Sequence, residues 1–139
     1  MIKDYVPYEL AKELKELGFN EHCLAWWFKN ISVPTQTRGF WGNWNAYESG
    51  LRTSAPFFFQ AFRWFRNVHQ LIAVPHYTGG DFKHYDIIVH DNRTGDEIEN
   101  VPYSCDTYEI AEEECLKFLI EMLKERNESQ VELSIINNI

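Results

Sequence analysis

The sequence predicts an α+β domain in which an antiparallel sheet carries its helices on one face. Three segments place apolar residues at the spacing of a helix, and other segments alternate apolar and polar residues between turn-forming sequences. Short turns make neighbouring strands antiparallel, and helices with a single apolar stripe are expected to gather on one face of the sheet. The predicted order is α-β-(long loop)-α-β-β-β-α, and residues 1–139 are expected to form a single domain.

The first part of the chain is predicted to contain a helix, a strand and a long loop. The helix covers residues 7–17, and Gly18 favours its end because glycine readily adopts the left-handed conformation that follows many helices. Residues 22–28 are rich in aromatic side chains and are predicted to form a strand. Residues 29–53 have few periodic positions and are predicted to be an irregular, aromatic-rich loop.

The chain is organised around a central helix that is predicted to begin near Ser54. Ser54 suits the N-cap and Pro56 suits the first turn. Phe58, Phe62 and Phe65 follow at helical spacing and form a broad aromatic stripe. Such a stripe must be covered, and the last helix is expected to lie beside it on the same face of the sheet. The residues expected to be buried there are Phe62, Phe65, Phe118 and Leu119.

Three strands are predicted after the central helix. Residues 71–77 form the first, and Pro75 favours an edge position because proline donates no hydrogen bond to a neighbouring strand. Residues 82–90 alternate between two faces and lead into a hairpin loop, in which Gly95 is expected to adopt a positive φ. A weaker strand is expected at residues 97–101.

The last helix is predicted to begin at Asp106 or Thr107, both of which suit an N-cap. Its glutamates, Glu112 among them, are expected on the water-facing side. The helix is predicted to end at residues 126–127. Part of the tail, residues 127–139, alternates like a short strand but could equally be frayed.

Composition and charge restrict the classes of partner. The formal net charge of −8 argues against a general affinity for nucleic-acid phosphates or anionic membranes, because both require basic patches. No apolar run approaches the ~18 residues of a spanning helix, and no secretory signal is recognised at the start. The three cysteines lack CxxC spacing, which favours reduced thiols and a cytoplasmic location. Gly79-Gly80 lacks the context of a phosphate-binding loop, and no cofactor is expected.

His84, Asp86 and His90 share one face of a predicted strand and are the candidate metal ligands. Imidazole and carboxylate groups two residues apart on a strand lie ~7 Å apart, which one metal ion can bridge when the side chains lean inward. His76 is expected on the neighbouring strand. The alternative is a polar, solvent-facing side of the sheet. The sequence favours this alternative because no established metal-binding spacing is present.

Four tryptophans are the candidate binding residues, and they are Trp26, Trp27, Trp41 and Trp44. Their rings could stack on bases or on another ligand, but such side chains more often fill a core or join a loop to it. Cys105 is the candidate nucleophile because it lies near a predicted helix N-terminus, which favours a thiolate. No partner histidine is recognisable, so a structural role is favoured for the cysteines.

Three segments carry a recognisable pattern, and they are residues 14–23 (LKELGFNEHC), 55–66 (APFFFQAFRWFR) and 107–120 (TYEIAEEECLKFLI). Together they resemble a family of small uncharacterised proteins encoded by phages and by bacterial genomes that carry phage-derived genes. The resemblance supports the predicted fold and implies a phage or prophage context. The family has no agreed activity, so it assigns no catalytic residue. The sequence departs from the family pattern at Asn20, His22 and Ile110.

The favoured function is that of a non-enzymatic accessory protein that binds a protein partner. An RNA-binding module is the alternative, because residues 54–126 are predicted to have the α-β-β-β-α order of double-stranded-RNA-binding domains. Seven Lys and Arg against thirteen Asp and Glu in those residues argue against it. A small enzyme with an unrecognised site is the third hypothesis. The surplus aromatic residues between 26 and 47, together with the tail, favour a homodimer.

Overall fold

The structure, a computed structural model, describes residues 2–29, 33–37, 39–47, 50–79, 84–98 and 104–138. Its helices are α1 (Tyr8–Glu16), α2 (Phe58–His69) and α3 (Tyr108–Asn137), with 3-10 helices at Ile2–Asp4 and Trp44–Ala46. Its strands are β1 (Ala25–Phe28), β2 (Thr35–Gln36), β3 (Arg52–Ser54), β4 (Leu71–Thr78), β5 (His84–Asp91) and β6 (Asp96–Ile98). These elements confirm the predicted α+β class.

The described strands form two antiparallel sheets, where one was expected. β1 lies between β2 and β3 in the first sheet, and β5 lies between β4 and β6 in the second. The difference arises because residues 29–53, expected to be an irregular loop, supply β2 and β3. These two strands occupy both edges of β1, which leaves β1 no edge for the strands of the second sheet.

α1 ends as its sequence predicts. The N–H of Gly18 donates to the carbonyl of Lys15 at 3.0 Å. The N–H of Phe19 donates to the carbonyl of Leu14 at 2.9 Å. Gly18 has a φ of +93°, which glycine adopts without strain, and the two hydrogen bonds form a Schellman motif. The chain therefore folds back over the last turn of α1, and the Phe19 side chain is buried.

α2 begins later than the predicted cap at Ser54, which lies instead in β3. There the Ser54 hydroxyl accepts a hydrogen bond from the backbone N–H of Asn45 at 3.1 Å. Gln60 caps α2, because its Oε1 accepts a hydrogen bond from the backbone N–H of Phe57 at 3.0 Å. Its Nε2 donates to the carbonyl of His22 at 3.0 Å. The amide of Gln60 is thus satisfied at both ends although the residue is buried.

α2 and α3 contact each other and both contact β4, as predicted. Of the four residues predicted to be buried, Phe65 and Leu119 are fully buried, whereas Phe62 and Phe118 are only partly buried against the same core because they lie at its border. This core also contains buried residues of α1, β1, β4 and β5. The helices therefore pack on a hydrophobic core that both sheets share.

β4 lies at an edge of the second sheet, as Pro75 predicts. Beyond the end of the β4–β5 ladder, the N–H of Asn92 donates to the carbonyl of Gln70 at 2.8 Å. Because hydrogen-bonded positions alternate along an antiparallel ladder, the even-numbered residues of β4 bond to β5 and Pro75 faces away from it. Among the described residues β4 has no strand on that other side, so the missing N–H of Pro75 breaks no pairing.

The hairpin between β5 and β6 is also confirmed. Gly95 has a φ of +77°, and its N–H donates to the carbonyl of Asp91 at 2.8 Å. The predicted strands extend to residues 82–83 at one end and 99–101 at the other, and these lie outside the described residues. Gly80 lies outside them as well.

The N-terminus of α3 follows one of the two predicted alternatives. Thr107 is the N-cap, and its hydroxyl accepts a hydrogen bond from the N–H of Ile110 at 3.2 Å. Asp106 precedes the cap and makes no such bond in the part of the chain that the structure describes. The first turn of α3 is therefore fixed by a threonine.

The C-terminal part of α3 corrects the prediction. The helix continues through residues 126–127, where an end was predicted, as far as Asn137. The prediction of a strand or frayed tail is wrong because residues 128–136 contain neither glycine nor proline, so the helix propagates from its packed turns. Residues 127–138 are exposed throughout, and we call them the α3 overhang.

Within the described ranges, no helix combines the length and apolarity needed to cross a bilayer.

Candidate functional site

A cluster of aromatic rings surrounds the guanidinium of Arg52 in β3. The Cζ atom lies 4.8 Å from the ring centre of Trp26, 5.1 Å from that of Tyr47 and 5.8 Å from that of Trp44. The rings of Trp26 and Trp44 have centres 4.6 Å apart, and those of Trp44 and Tyr47 are stacked at 5.8 Å. We call these four residues the Arg52 cluster. Its geometry is that of a cation–π arrangement.

The backbone before Trp44 explains how the expected loop builds the Arg52 cluster. Cys23 and Gly42 exchange backbone hydrogen bonds at 2.9 and 3.1 Å. Trp44 Nε1 donates to the carbonyl of Cys23 at 2.8 Å. A Cβ at Gly42 would lie 2.7 Å from the Trp44 ring, so this approach requires glycine. Lys15 Nζ donates to the carbonyl of Arg52 at 2.8 Å and ties α1 to β3.

The structure brings together two of the four candidate tryptophans. Trp26 and Trp44 both belong to the Arg52 cluster, where the chain itself supplies the cation. Trp27 lies apart from them because alternate residues of β1 face opposite sides. It is buried, and its Nε1 donates to the carbonyl of Val6 at 3.0 Å. These three tryptophans thus have structural contacts within the chain.

Trp41 lies elsewhere, beside a depression of about 520 Å³. Phe59 and Arg63 of α2 also line this depression. The guanidinium of Arg63 pairs with the carboxylate of Glu21, with Nη2 and Oε2 at 2.9 Å. The charges of Arg63 and Glu21 compensate each other, so this ion pair gives the depression no net charge.

A groove runs along the first turns of α3, and three adjoining depressions of about 500, 290 and 230 Å³ form it. The side chain of Glu112 lines all three depressions, so they are parts of one surface, which we call the α3 groove. Its walls come from the N-terminal segment, β1, the start of α2, β4 and α3. The aromatic and aliphatic side chains that line it include Tyr5, Trp27, Phe57, Phe58, Phe59, Phe62, Val74, Tyr108 and Ile110.

Carboxylates outnumber cations around the α3 groove. The charged residues that line it are Asp4, Glu109, Glu112, Glu113, Lys3 and Arg66. Burial, followed by repulsion from Glu109 and Asp4, raises the pKa of the Glu112 carboxyl. In the part of the chain that the structure describes, no hydrogen bond or ion pair engages the Glu112 side chain. Glu113, by contrast, has Lys117 Nζ 3.6 Å from its Oε1.

The α3 groove was missed by the sequence analysis. Helical periodicity placed Glu112 with the other glutamates on the water-facing side of the last helix, which is correct for an isolated helix. The start of α2 and the N-terminal segment, however, lie beside the first turns of α3 and partly cover Glu112. Ile110, an apolar residue directly after Glu109 and two positions before Glu112, was the one local signal that this face of the helix differs from a solvent-facing helix surface.

The candidate metal ligands on β5 do not converge. His84 Nε2 lies 3.1 Å from Asp86 Oδ1, and the other carboxylate oxygen of Asp86 accepts a hydrogen bond from the Thr78 hydroxyl at 2.8 Å. His90 follows about 13 Å further along the strand. His76 lies opposite Asp86, as expected. Within the described ranges, no group of three or more His, Cys, Asp or Glu side chains is arranged to hold a metal ion.

The three cysteines are buried and are not joined in disulfides. Burial raises the pKa of the Cys23 and Cys115 thiols to about 12. Burial and the neighbouring carboxylate of Glu114 raise the pKa of the Cys105 thiol. A thiol with a raised pKa forms little thiolate at neutral pH. The expectation that the helix N-terminus would favour a Cys105 thiolate is therefore wrong, because burial and the nearby carboxylates favour the protonated thiol.

Arg126 joins α3 to the ends of α2 and β5. Its Nη1 donates to the carbonyl of His69 at 2.9 Å, and its Nη2 lies 3.3 Å from Asp91 Oδ2. Burial, followed by the charge of Arg126, lowers the pKa of His69. His69 Nε2 is buried without a hydrogen-bond partner among the described residues, and the ring centre lies 4.5 Å from that of Trp64. The folded protein therefore favours the neutral imidazole.

No protein-family model, curated protein or solved structure matches this chain. The resemblance of residues 14–23, 55–66 and 107–120 to small phage-encoded proteins stays a prediction. The phage or prophage context that the resemblance implies stays a prediction as well.

Proposed function

We propose that the protein is a non-enzymatic accessory protein that binds a protein partner, and that the partner docks in the α3 groove. One observation carries the proposal: four large apolar side chains that expose more than two fifths of their surface line this one groove. They are Phe59, Val74, Tyr108 and Ile110, with exposed fractions of 62%, 43%, 45% and 49%. A contiguous exposed apolar surface with a polar border is typical of an interaction site.

The extended shape of the α3 groove favours a segment of a protein over a small molecule. Small-molecule sites are concave pockets that enclose most of the ligand. Here three depressions adjoin one another from the N-terminal segment, past the start of α2, to β4. A small ligand would fill one of them and leave the others exposed. An amphipathic segment that lays its apolar side chains into successive depressions would cover all three.

A double-stranded-RNA-binding function is the alternative. α2, β4, β5, β6 and α3 have the order and the antiparallel sheet on which that hypothesis was based. In RNA-binding domains of this order, lysines at the start of the last helix contact phosphates. Glu109, Glu112 and Glu113 occupy the start of α3 here, and they would repel phosphates. Protein binding is the function we favour for this reason.

The proposal extends to origin, location and assembly. The resemblance to phage-encoded proteins supports a phage-derived gene, and the buried, unpaired cysteines support a reducing cytoplasm. The α3 overhang supports a homodimer, because it exposes four aliphatic side chains that are otherwise unfavourable in water. They are Val131, Leu133, Ile135 and Ile136.

Selection of random helical-length peptides on the immobilised wild-type protein tests the docking function, with Ile110→Glu as the groove variant. Glu at this position follows the Thr107 N-cap at capping-box spacing, so the substitution does not disfavour the helix. Val68→Glu is the matched control, because Val68 is exposed on α2 and does not line the groove. Circular dichroism confirms that both variants are folded.

We expect peptides enriched on the wild type to bind Val68→Glu equally well and Ile110→Glu at least about tenfold more weakly, as for loss of an apolar contact at the centre of an interface. Two results contradict the function. One is that no peptide is enriched above an unrelated acidic protein. The other is that enriched peptides bind Ile110→Glu as tightly as the wild type.

A further inference from the structure

We infer that the segment bound in the α3 groove carries a lysine or arginine between apolar residues, and that this cation pairs with Glu112. The inference rests on the proposed function, because it names the chemistry of the partner that the groove receives. The partner is then a basic amphipathic segment of another protein. Its apolar residues occupy the depressions on either side of Glu112, and its cation lies where the depressions meet.

The position of Glu112 is the first reason. It lies at the junction of the three depressions, and the side chains around it are largely apolar, with Phe58, Phe59 and Tyr108 among them. In the part of the chain that the structure describes, its carboxylate has no hydrogen bond or ion pair. A partly buried carboxylate without a partner is unfavourable, and a cationic group from a ligand removes that cost.

The charges around Glu112 are the second reason. Glu109 and Asp4 repel its carboxylate, so the groove is already short of positive charge near the junction. Lys3 and Arg66 are the cations that line the groove, and neither forms an ion pair with Glu112 within the described ranges. A bound cation would be attracted by several carboxylates at once. An acidic segment would be repelled at the same place, so the groove favours basic segments over acidic ones.

The α3 overhang of a second copy does not supply such a segment. The α3 overhang is an exposed apolar helix and is the nearest candidate within the protein itself. Its charged residues are Glu128 and Glu132, and both are acidic. Insertion of one protomer's overhang into another's groove would therefore place carboxylates against Glu112. The occupant of the α3 groove is a different protein, whatever the α3 overhang binds.

Three synthetic amphipathic peptides test the inference. They share one leucine-rich face, and their polar faces consist of lysine, glutamine or glutamate. Fluorescence anisotropy measures their binding to the wild type, to Glu112→Gln and to Ile110→Glu. Glu121→Gln is the matched control, because Glu121 is an exposed glutamate of α3 outside the groove.

The lysine peptide should bind the wild type more tightly than the glutamine peptide, and the glutamate peptide should bind least. Glu112→Gln should weaken the lysine peptide by about tenfold, the effect of one lost charge-assisted hydrogen bond, and leave the glutamine peptide unchanged. Glu121→Gln should change neither peptide. The lysine preference should also shrink as the salt concentration rises, because screening weakens ion pairs.

The inference and the docking function fail in different ways. If the lysine and glutamine peptides bind equally and Ile110→Glu weakens both, the groove docks apolar segments without selecting charge, and the inference is overturned while the function stands. If Glu112→Gln and Glu121→Gln weaken the lysine peptide by the same factor, the attraction is general acidity and the inference is also overturned. If no peptide binds, or if Ile110→Glu leaves the binding of the glutamine peptide unchanged, the docking function itself is contradicted.

Discussion

The guanidinium of Arg52 lies over the ring of Trp26, with its Cζ 4.8 Å from the ring centre. This contact joins β3 to β1, and Arg52 belongs to residues 29–53, which were expected to be an irregular loop. Trp44 and Tyr47, which precede Arg52 in the same segment, complete the arrangement. Trp26, Trp27 and Trp44 are therefore accounted for by contacts within the chain, whereas Phe40 and Trp41 stay exposed.

We predict that Arg52→Ala destabilises the protein by about 1–2 kcal/mol, since it removes a cation from a partly buried aromatic cluster. The backbone carbonyl that accepts a hydrogen bond from Lys15 remains in the variant. Urea denaturation followed by tryptophan fluorescence measures the free energy of unfolding. Arg66→Ala is the control, because Arg66 is exposed and its removal should change stability by under about 0.5 kcal/mol. If the two substitutions lowered the free energy of unfolding equally, the contact of Arg52 with the aromatic rings would contribute nothing to stability.

Phe65 lies at the centre of the contact between α2 and the core and is fully buried. Phe65→Ala should lower the free energy of unfolding by about 3–5 kcal/mol through lost burial and the cavity left behind. Phe59→Ala, the same change on the same helix at a largely exposed position, should cost under about 1 kcal/mol. Both values come from denaturant titrations. A loss under about 1 kcal/mol for Phe65→Ala would contradict the described packing of α2.

His69 should make the folded protein sensitive to acid. Its pKa is lowered in the folded state, so the unfolded chain binds a proton at a higher pH than the folded protein does. Stability is therefore unaffected above the ordinary histidine pKa of about 6.5 and falls as the pH drops below it. His69→Phe should remove the contribution of His69 and make stability less dependent on pH. Some pH dependence should be left, because the four other histidines remain. The difference between the denaturation midpoints of the two proteins should be constant between pH 7 and pH 8 and should change as the pH falls to 5, and a difference that is constant over the whole range would contradict this prediction.

The exposed aliphatic side chains of the α3 overhang predict a homodimer that pairs these helices. Sedimentation equilibrium at micromolar concentration should detect a species heavier than the 16.5 kDa monomer. Ile135→Asp should return it to the monomer mass without changing the melting of the core, because residue 135 makes no buried contact in the described structure. A wild-type protein that sediments as a single 16.5 kDa species would exclude the dimer.

Local signals in the sequence predicted the end of α1, the start of α3 and the turn between β5 and β6, which depend on near neighbours, but not the start of α2 or the end of α3. Gly18 and Gly95 adopt the positive φ expected of them, and Thr107 caps α3. The first sheet could not be predicted in this way, because β2 and β3 are only two and three residues long and exist through their pairing with β1. Short strands carry little periodicity, and their partners are distant in sequence.

The candidate sites depended still more on distant contacts. His84, Asp86 and His90 do share a face of β5, but alternation on a strand says nothing about a third ligand from elsewhere. Glu112 showed the helical spacing of a water-facing residue. Only the approach of the N-terminal segment and the start of α2 turns that position into the junction of a groove. Residues brought together by tertiary packing leave no pattern in a single sequence.

Nuclear magnetic resonance mapping with the lysine peptide tests the central claim, docking in the α3 groove, most directly. Amide shifts of the labelled wild-type protein are followed during the titration. The account predicts that the largest changes fall on residues 108–113 of α3 and 57–62 of α2, and that Glu112→Gln reduces them at the same peptide concentration. Changes centred on the α3 overhang or the Arg52 cluster, with the groove residues unmoved, would contradict it.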